Sequence, residues 1–473
     1  MKPDPRWECS SAAGADVAAV GYERMTGLVA EKTRYKSVYI PFDNSVHALR
    51  ATELGIAIAR ETGACVTGSH VYAAGLHDRR FRQMESGLPE RYREEEKLAE
   101  QREVHDELIT RGLSVISECY LDVVGKKCAE AKVACRRVAL EGKNWRKLVE
   151  DIRGSDHDLV IMGALGVGAV ASSVVGSVCE RVARRIDRDL LVVRTSATER
   201  SGAIVVGVDG SAHAYGALKA ALELARIFDR PVEAVAVYDP FFHYVAFHGI
   251  AGVLSPAAAS VFRFREQEKL HEEIIDTGLA KIYQGHLEVA VKLAAAEGVE
   301  LRTTLLAGKA FEQILDYARK REPWLLAVGR IGAHSDSTMD LGGTTENLLR
   351  AAPCNLLLSA RMFEPPVEQV ADTSIAWTRE AQARIERIPE FARGMARRAV
   401  IMHAAARGHT VVTSDVIDAC LAAIAQPGTA HAAPGSARQD GPAKPGKCPY
   451  AHRANAGKRK PRRTETVPNG DRK

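Results

Sequence analysis

LVIMGALGVGAVASSVVGSVCERVARRIDRDLLVVR spans Leu159 to Arg194. Leu159–Met162 is a short apolar run that reads as a buried strand. Gly163, Gly166 and Gly176 follow, with two and then nine residues between them, and Ser177 comes directly after. Val178, Val182 and Ile186 then recur at helical spacing, and Leu190–Val193 reads as a second buried strand. A glycine loop between a strand and a helix brings bare backbone N–H groups to where a phosphate can approach. Ser177 is expected to cap that helix and to offer its hydroxyl to the same anion.

The chain contains this unit twice. PWLLAVGRIGAHSDSTMDLGGTTENLLRAAPCNLLLS, Pro323–Ser359, repeats the spacing with Gly329, Gly332, Gly342 and Gly343. Gly329 lies 166 residues after Gly163. The same step carries Asp43 to Asp209, Gly142 to Gly308 and Lys143 to Lys309. It also aligns 43–72 with 209–238 without a gap, with identities at Ser45/Ser211, His47/His213, Arg60/Arg226 and Tyr72/Tyr238. A tandem duplication is therefore the first fact about the fold.

A length of 473 residues leaves room for about three domains. The composition, 46% hydrophobic and 26% charged with a formal net charge of +5, is that of an ordinary globular protein. Much of the positive balance sits in the last residues, which argues against a nucleic-acid-binding core. The nine cysteines show no CxxC and no metal-ligand spacing, so reduced thiols are expected. No apolar run has the length of a signal sequence or a membrane span, and a cytoplasmic location is expected.

Residues 1–34 read as an arm. Domain 1 spans 35–198, with strands at Val38–Phe42, Val66–Tyr72 and Val133–Leu140 and helices at 45–61 and 144–153. An excursion, 75–130, carries the charged section PERYREEEKLAEQREVHDELI, which reads as a solvated helix. Domain 2 spans 202–361 and runs the same way. Its excursion, 239–298, is aromatic and apolar, with His243 and His248 read as part of a lid or packing hairpin. Strands alternating with helices predict an α/β fold: two tandem doubly wound five-stranded parallel sheets. Residues 360–372 read as a linker. A small all-α module follows over 373–425, with an apolar face of Trp377, Ile385, Ile388, Phe391, Met395, Val400 and Ile401, and with Ser414 capping its last helix. The basic tail 426–473 is expected to be disordered.

In such sheets ligands bind beyond the carboxyl ends of the strands, where the strand order reverses. With the first and fourth strands adjacent there, Asp43 is expected to face Gly163, and Asp209 to face Gly329. An Asp in that place accepts hydrogen bonds from ribose hydroxyls or an adenine amine. The bland alternative is that Asp43 only caps its helix and the glycines only turn the chain. No lysine follows the glycines and no base is placed for an attacking water, so any ATP hydrolysis should be slow.

Strand–Asp followed by Gly-x2-Gly-x9-Gly-Ser resembles the ATP-binding branch of the universal stress proteins. The resemblance covers both repeats. It implies a Rossmann-like fold and ATP, with or without Mg2+, as a regulatory ligand. It places nucleotide contacts on Pro41, Asp43, Val71, Met162, Gly163, Gly166, Gly176, Ser177 and Val178. In the second copy they fall on Asp209, Val237, Gly329, Gly332, Gly342, Gly343 and Thr344. The second copy departs from the pattern: Gly207 replaces the proline, Gly343 replaces the serine, and Asp336 and Asp340 stand in the loop, where they repel phosphate unless a divalent cation intervenes. Copy one is expected to bind better. The family also dimerises through last strands, so Leu190–Val193 and Leu356–Leu358 are expected to pair within the chain as a pseudo-dimer, covering two sheet edges.

Trp377–Cys420 resembles the small C-terminal domain of the light-independent protochlorophyllide reductase B subunit. The shared features are Trp377, Glu380–Ala381, Arg387-Ile388-Pro389, Phe391-Ala392-Arg393, Gly408 and Thr413–Val416. The cysteines here do not support the reductase's iron–sulfur chemistry, so the module reads as a docking element for a protein partner. The alternative to nucleotide binding is an accessory or scaffold role for a redox or tetrapyrrole enzyme. Cys448–Pro449 beside His452 has the look of a haem-binding dipeptide but reads as incidental, and KRKPRR, 458–463, reads as a solvated basic run.

Overall fold

The structure is a computed structural model that describes residues 35–196, 202–240, 276–334, 340–366, 370 and 375–425. The arm, His243, His248, Asp336 and the tail with its Cys-Pro and basic run lie outside these residues.

The first repeat runs β1 (Ser37–Pro41), α1 (Val46–Thr62), β2 (Cys65–Tyr72), α2 (Ala74–Met84), α3 (Glu95–Glu130), β3 (Cys135–Glu141), α4 (Asn144–Arg153), β4 (Leu159–Gly163), α5 (Ser177–Arg185) and β5 (Asp189–Val193). The second runs β6 (Ile204–Gly207), α6 (Ala212–Phe228), β7 (Val232–Tyr238), α7 (Asp276–Ala296), β8 (Leu301–Ala307), α8 (Ala310–Arg321), β9 (Leu325–Gly329), α9 (Gly343–Ala351) and β10 (Asn355–Ser359).

These strands form one ten-stranded sheet in the order β3-β2-β1-β4-β5-β10-β9-β6-β7-β8. Each half is parallel. The halves meet through a single antiparallel pairing in which Leu356, Leu357 and Leu358 face Val192, Leu191 and Leu190. The strands expected to pair within the chain therefore do so, and each repeat's last strand closes the other's edge.

Burial explains the layering. β5 and β10 are buried along their whole length, as central strands covered on both faces should be. The outer strands β3 and β8 expose several residues. One apolar layer holds α1, α3, α6 and α7 on the sheet through residues such as Leu54, Ile58, Val124, Leu218 and Leu293. The opposite layer holds α4, α5, α8 and α9 through Leu148, Ile152, Val182, Ile314 and Leu348. Fully burying each such side chain contributes about 1.5–3 kcal/mol.

The first excursion is α2 followed by the long α3. The charged run is helical only from Glu95; two short 3-10 turns precede it. Leu121, Val124 and Cys128, at the C-terminal end of α3, are fully buried, whereas Leu108 is exposed. In the second repeat α7 supplies the corresponding buried residues Leu287, Ala290, Leu293 and Ala294.

The stretch read as a linker is in part bound to the fold. Phe363 N donates to Ala212 O, and the Arg361 guanidinium reaches Asp189 Oδ2 at 2.9 Å and Glu223 Oε2 at 3.1 Å. The prolines at 365 and 366 suggested a break, but a buried carboxylate pair upstream of them needs a cation.

The C-terminal module contains β11 (Ala376–Trp377), α10 (Arg379–Glu386), α11 (Glu390–Ala406), β12 (Val411–Val412) and α12 (Ser414–Ala425). The helices agree with the sequence reading, and the parallel β11–β12 contact adds to it. Its core is Ile375, Ala381, Ile385, Val400, Ile401, Ala404, Val412, Val416, Ile417 and Cys420, with Trp377 and Ile388 against it. Met395 is not part of that face: it is 72% exposed. Ser414 is the first helical residue rather than the cap; Thr413 Oγ1 accepts from Val416 N instead.

Candidate functional site

In the first repeat β1 pairs with β4, with Val38 and Tyr39 opposite Leu159 and Val160. The chain order reverses at that pair, so a crevice opens beyond their carboxyl ends. Pro41 and Asp43 at the end of β1, Val71 of β2, and Met162 and Gly163 of β4 line this cleft. So do Gly166 in the loop and Gly176, Ser177 and Val178 at the start of α5. Its volume is about 550 Å3. In the second repeat Asp209, Val237, Gly329, Gly332, Gly342, Gly343 and Thr344 line an equivalent cleft of about 380 Å3. All sixteen residues singled out in the sequence are thus brought to two clefts.

The Asp carboxylate ties three pieces of chain together. Asp43 Oδ1 accepts from Ser45 N at 3.1 Å and Oδ2 accepts from Val167 N at 3.1 Å. Asp209 does the same with Ser211 N at 3.1 Å and Ala333 N at 2.9 Å. The helix cap is the serine two residues on: Ser45 Oγ accepts from Ala48 N, and Ser211 Oγ from Ala214 N. Asp43 therefore neither caps α1 nor faces Gly163. Its Oδ2 lies only 2.5 Å from where a Cβ on Gly166 would be, and Asp209 stands likewise to Gly332 at 2.7 Å. A carboxylate has about four lone-pair directions, so two amides leave acceptor capacity toward the cleft.

The first glycine of each motif serves packing. A Cβ on Gly163 would sit 2.8 Å from the His47 carbonyl carbon and Cβ, and one on Gly329 would sit 2.8 Å from His213 Cβ. Only glycine lets α1 and α6 begin this close to β4 and β9. Gly176 N is held by Ala164 O at 2.7 Å, and Gly342 N by Arg330 O at 2.8 Å. Gly176 and Gly342 are the N-caps of α5 and α9. Ser177 is hence the first helical residue rather than the cap, and the Gly176 carbonyl accepts the first helical bond from Glu180 N. The first-turn amides of each helix have no intrahelical acceptor and carry the positive end of the helix dipole.

The sequence reading missed several neighbours. Asn144 and Leu148 of α4, Ser45, Ser69 and His70 also line the first cleft. His70 Nδ1 and Ser117 Oγ are 2.8 Å apart, and burial holds the His70 imidazole below its ordinary pKa, with Asp43 opposing. The second copy has Ala236 and Tyr283 at these two places, and Tyr283 Oη lies 3.5 Å from His334 Nε2. Tyr283 and His334 both line the second cleft, which is the smaller of the two.

Each loop also rests on an arginine. Arg194 Nη1 donates to Val174 O at 2.7 Å, and Arg330 Nη2 to Asp340 O at 3.3 Å. Val174 and Asp340 are equivalent, 166 residues apart, yet the two arginines come from different strand ends. No periodicity signals such a convergence. Neither guanidinium lines its cleft, and among the described residues no Lys or Arg side chain lines the first one. Asp340 Oδ1 accepts from Leu341 N and lies 3.6 Å from Arg184 Nη1. The Arg184 guanidinium thereby partly offsets its charge. Among the described residues no cluster of three His, Cys, Asp or Glu side chains is placed to hold a metal ion.

The universal stress protein family matches residues 34–194 and again 201–359. The chain belongs to the universal stress protein family. The proto-chlorophyllide reductase 57 kD subunit family matches residues 377–420. A universal stress protein of Methanocaldococcus jannaschii is 29% identical over 157 residues, covering 33% of this chain and 79% of that protein. Among solved structures, a universal stress protein from Archaeoglobus fulgidus aligns with a TM-score of 0.45 at 15% identity, over 68% of this chain and 97% of its own. A universal stress protein in complex with cAMP aligns with a TM-score of 0.24 at 22% identity, over 35% of this chain and 100% of its own. No described helix of this universal stress protein is long and apolar enough to cross a membrane.

Proposed function

We propose that the first cleft binds an adenine nucleotide, ATP with or without Mg2+, as a regulatory ligand, and that residues 373–425 dock a protein partner. The observation that carries the first part is the convergence of Asp43, a glycine loop and the N-terminus of α5 on one cleft at the switch point. The fit is chemical. Asp43 retains acceptor capacity for ribose hydroxyls. Gly168, with nothing within 4 Å of a would-be Cβ, leaves the loop backbone open. The first-turn amides of Ser177 and Val178 suit a phosphate. Val71 and Met162 offer apolar contact to a base. A volume of about 550 Å3 lies in the range of small-molecule sites.

The second cleft shares the Asp and the glycines but is smaller, so copy one is the principal site in this reading. In this reading the chain's own residues bind and orient a ligand that the protein reads. A reducing, cytoplasmic setting fits the free thiols.

Calorimetric titration with ATP and magnesium tests this. Wild type and Asp209→Ala should bind, and Asp43→Ala should not. Asp43→Asn separates two roles: it keeps an acceptor for Val167 N but removes the charge. Absence of heat with the wild type would remove the nucleotide reading and favour a scaffold role in which residues 373–425 still capture a partner.

A further inference from the structure

Cys128 and Cys135 lie at the end of the first half-sheet opposite the cleft. Cys128 is in the last turn of α3 and is fully buried. Cys135 opens β3 and is partly exposed. The turn between them is tight: Val133 N donates to Cys128 O at 2.9 Å, and Lys132 takes a positive φ of 57°. Cys128 belongs to the buried core and Cys135 packs against that core, so the two thiols are neighbours across the turn. Cys65, the first residue of β2, is exposed and adjoins the pair, since its neighbour Val66 is in register with Cys135. The second repeat has Pro231, Ala294 and Leu301 at the three equivalent positions. The duplicated fold therefore does not require thiols here.

We propose that Cys135 is a site of oxidation by small hydroperoxides and that Cys128 is its resolving thiol, closing an internal disulfide between α3 and β3. In the first step the Cys135 thiolate attacks the O–O bond. A sulfur–oxygen bond forms, the O–O bond breaks, and the departing alkoxide or hydroxide takes up a proton from water. Cys135 becomes a sulfenic acid as the hydroperoxide is reduced to alcohol or water. In the second step Cys128 sulfur attacks Cys135 sulfur, the S–O bond breaks, and the hydroxide leaves as water with the Cys128 proton. Two thiols and one hydroperoxide thus give one disulfide, one alcohol and one water.

The surroundings divide these roles. The neighbouring Cys128 thiol lowers the Cys135 pKa against the opposing effect of burial, with help from the Gly68 backbone and the Arg137 charge. The same proximity and burial raise Cys128, so Cys135 is the thiolate that meets the oxidant, and Cys128 gives up its proton only as the S–S bond forms. Thiolate character, not exposure alone, sets reactivity. Cys119 is exposed but has no such partner, and burial pushes the Cys179 thiol up to about 12. Partial burial also favours a small oxidant over a bulky disulfide.

Treatment of the reduced full-length protein with hydrogen peroxide, followed by intact mass and tryptic mapping, tests this. A loss of about 2 Da, the two thiol hydrogens, is expected, with peptides 128–132 and 133–136 joined. Cys128→Ala should instead trap a dimedone adduct on Cys135, and Cys135→Ser should abolish the loss. Oxidised glutathione in a parallel arm should act much more slowly. Oxidation that begins at Cys65 or Cys119, covalent dimers in place of the internal bond, or faster reaction with oxidised glutathione would each overturn the proposal. Alkylation of native wild type by iodoacetamide, independent of any variant's folding, should label Cys135 before Cys119.

Discussion

Arg184 and Glu346 pair at 2.5 Å across the seam between the repeats, and their counterparts Arg350 and Glu180 pair at 2.7 Å. Glu346 lies 166 residues after Glu180, and Arg350 lies 166 after Arg184. One pair is therefore the other turned about a pseudo-two-fold axis. The four side chains join α5 to α9, whose N-termini face the two clefts. They are partly exposed, so each bridge should contribute modestly. A double-mutant cycle of Arg184→Ala and Glu346→Ala, read by chemical denaturation, should give a coupling of about 0.5–1 kcal/mol that shrinks in high salt. The Arg350–Glu180 cycle should give less, because Arg350 is 49% exposed against 23% for Arg184. A coupling of zero in both would mean that β5–β10 pairing and apolar contacts alone hold the seam.

Gly163, Gly166 and Gly168, all lining the first cleft, should separate stability from binding. Gly163→Ala sets a Cβ against His47 backbone, which cannot move without shifting α1. It should cost about 1–3 kcal/mol of stability. Gly166→Ala meets only the Asp43 carboxylate, a side chain that can rotate away. Stability should change by less than about 1 kcal/mol, while nucleotide affinity drops because the Asp43–Val167 bond is lost. Gly168→Ala, which meets nothing, serves as the control. Thermal melts and titrations of the three variants together check this order.

Much of this was legible because a duplication doubles every signal. Asp43 and Asp209, and the two glycine series, stood out by falling at one offset, and the strands around them are apolar runs. What was missed depends on side chains whose roles are set by distant chain. Arg194 and Arg330 support equivalent carbonyls from non-equivalent positions, so the repeat hides them. Arg361 follows the last strand in a segment with linker composition, and only Asp189 and Glu223 explain its burial. Placing Asp43 against Gly163 followed from strand adjacency alone. The close start of α1 gives that space to His47 and moves the carboxylate on to Gly166.

Acid should loosen the fold through its buried histidines. Burial lowers the pKa of His47, His70, His157 and His286, in each case the leading cause. In the unfolded chain these groups titrate near their ordinary value of about 6.5. Below that pH the unfolded state binds more protons than the folded one, so stability falls as pH drops toward the lowered folded values. It is fully present above about pH 7. The denaturation midpoint should thus decline between about pH 7 and 5.5, and His286→Gln should flatten part of the decline. A midpoint independent of pH in that window would show that other groups compensate.

Arg361 supports the largest single-site prediction. Asp189 is 1% exposed and Glu223 is 13% exposed, and Arg361 bridges them. The Tyr35 ring lies under the guanidinium at 4.1 Å, and Tyr35 Oη donates to Asp189 Oδ2 at 2.8 Å. Removing one partner of a buried ion pair leaves an uncompensated charge, so Arg361→Ala should cost about 3–5 kcal/mol. Asp189→Asn is gentler. It installs what the second repeat already has, because Asn355 Oδ1 accepts from Arg194 N and Thr195 N as Asp189 Oδ1 accepts from Ala360 N. It keeps that acceptor and leaves Glu223 to balance Arg361, so its cost should stay near 1–2 kcal/mol, about that of a weakened hydrogen bond to a charged group. The two variants should also differ in their pH response. Burial already raises the Glu223 pKa against the opposing Arg361 charge, so without Arg361 that carboxyl is driven further to hold a proton in the folded state, and the Arg361→Ala deficit should shrink as pH falls from about 7 toward 5. Equal and pH-independent losses in both variants would show that packing against Tyr35, rather than charge balance, is what Arg361 supplies.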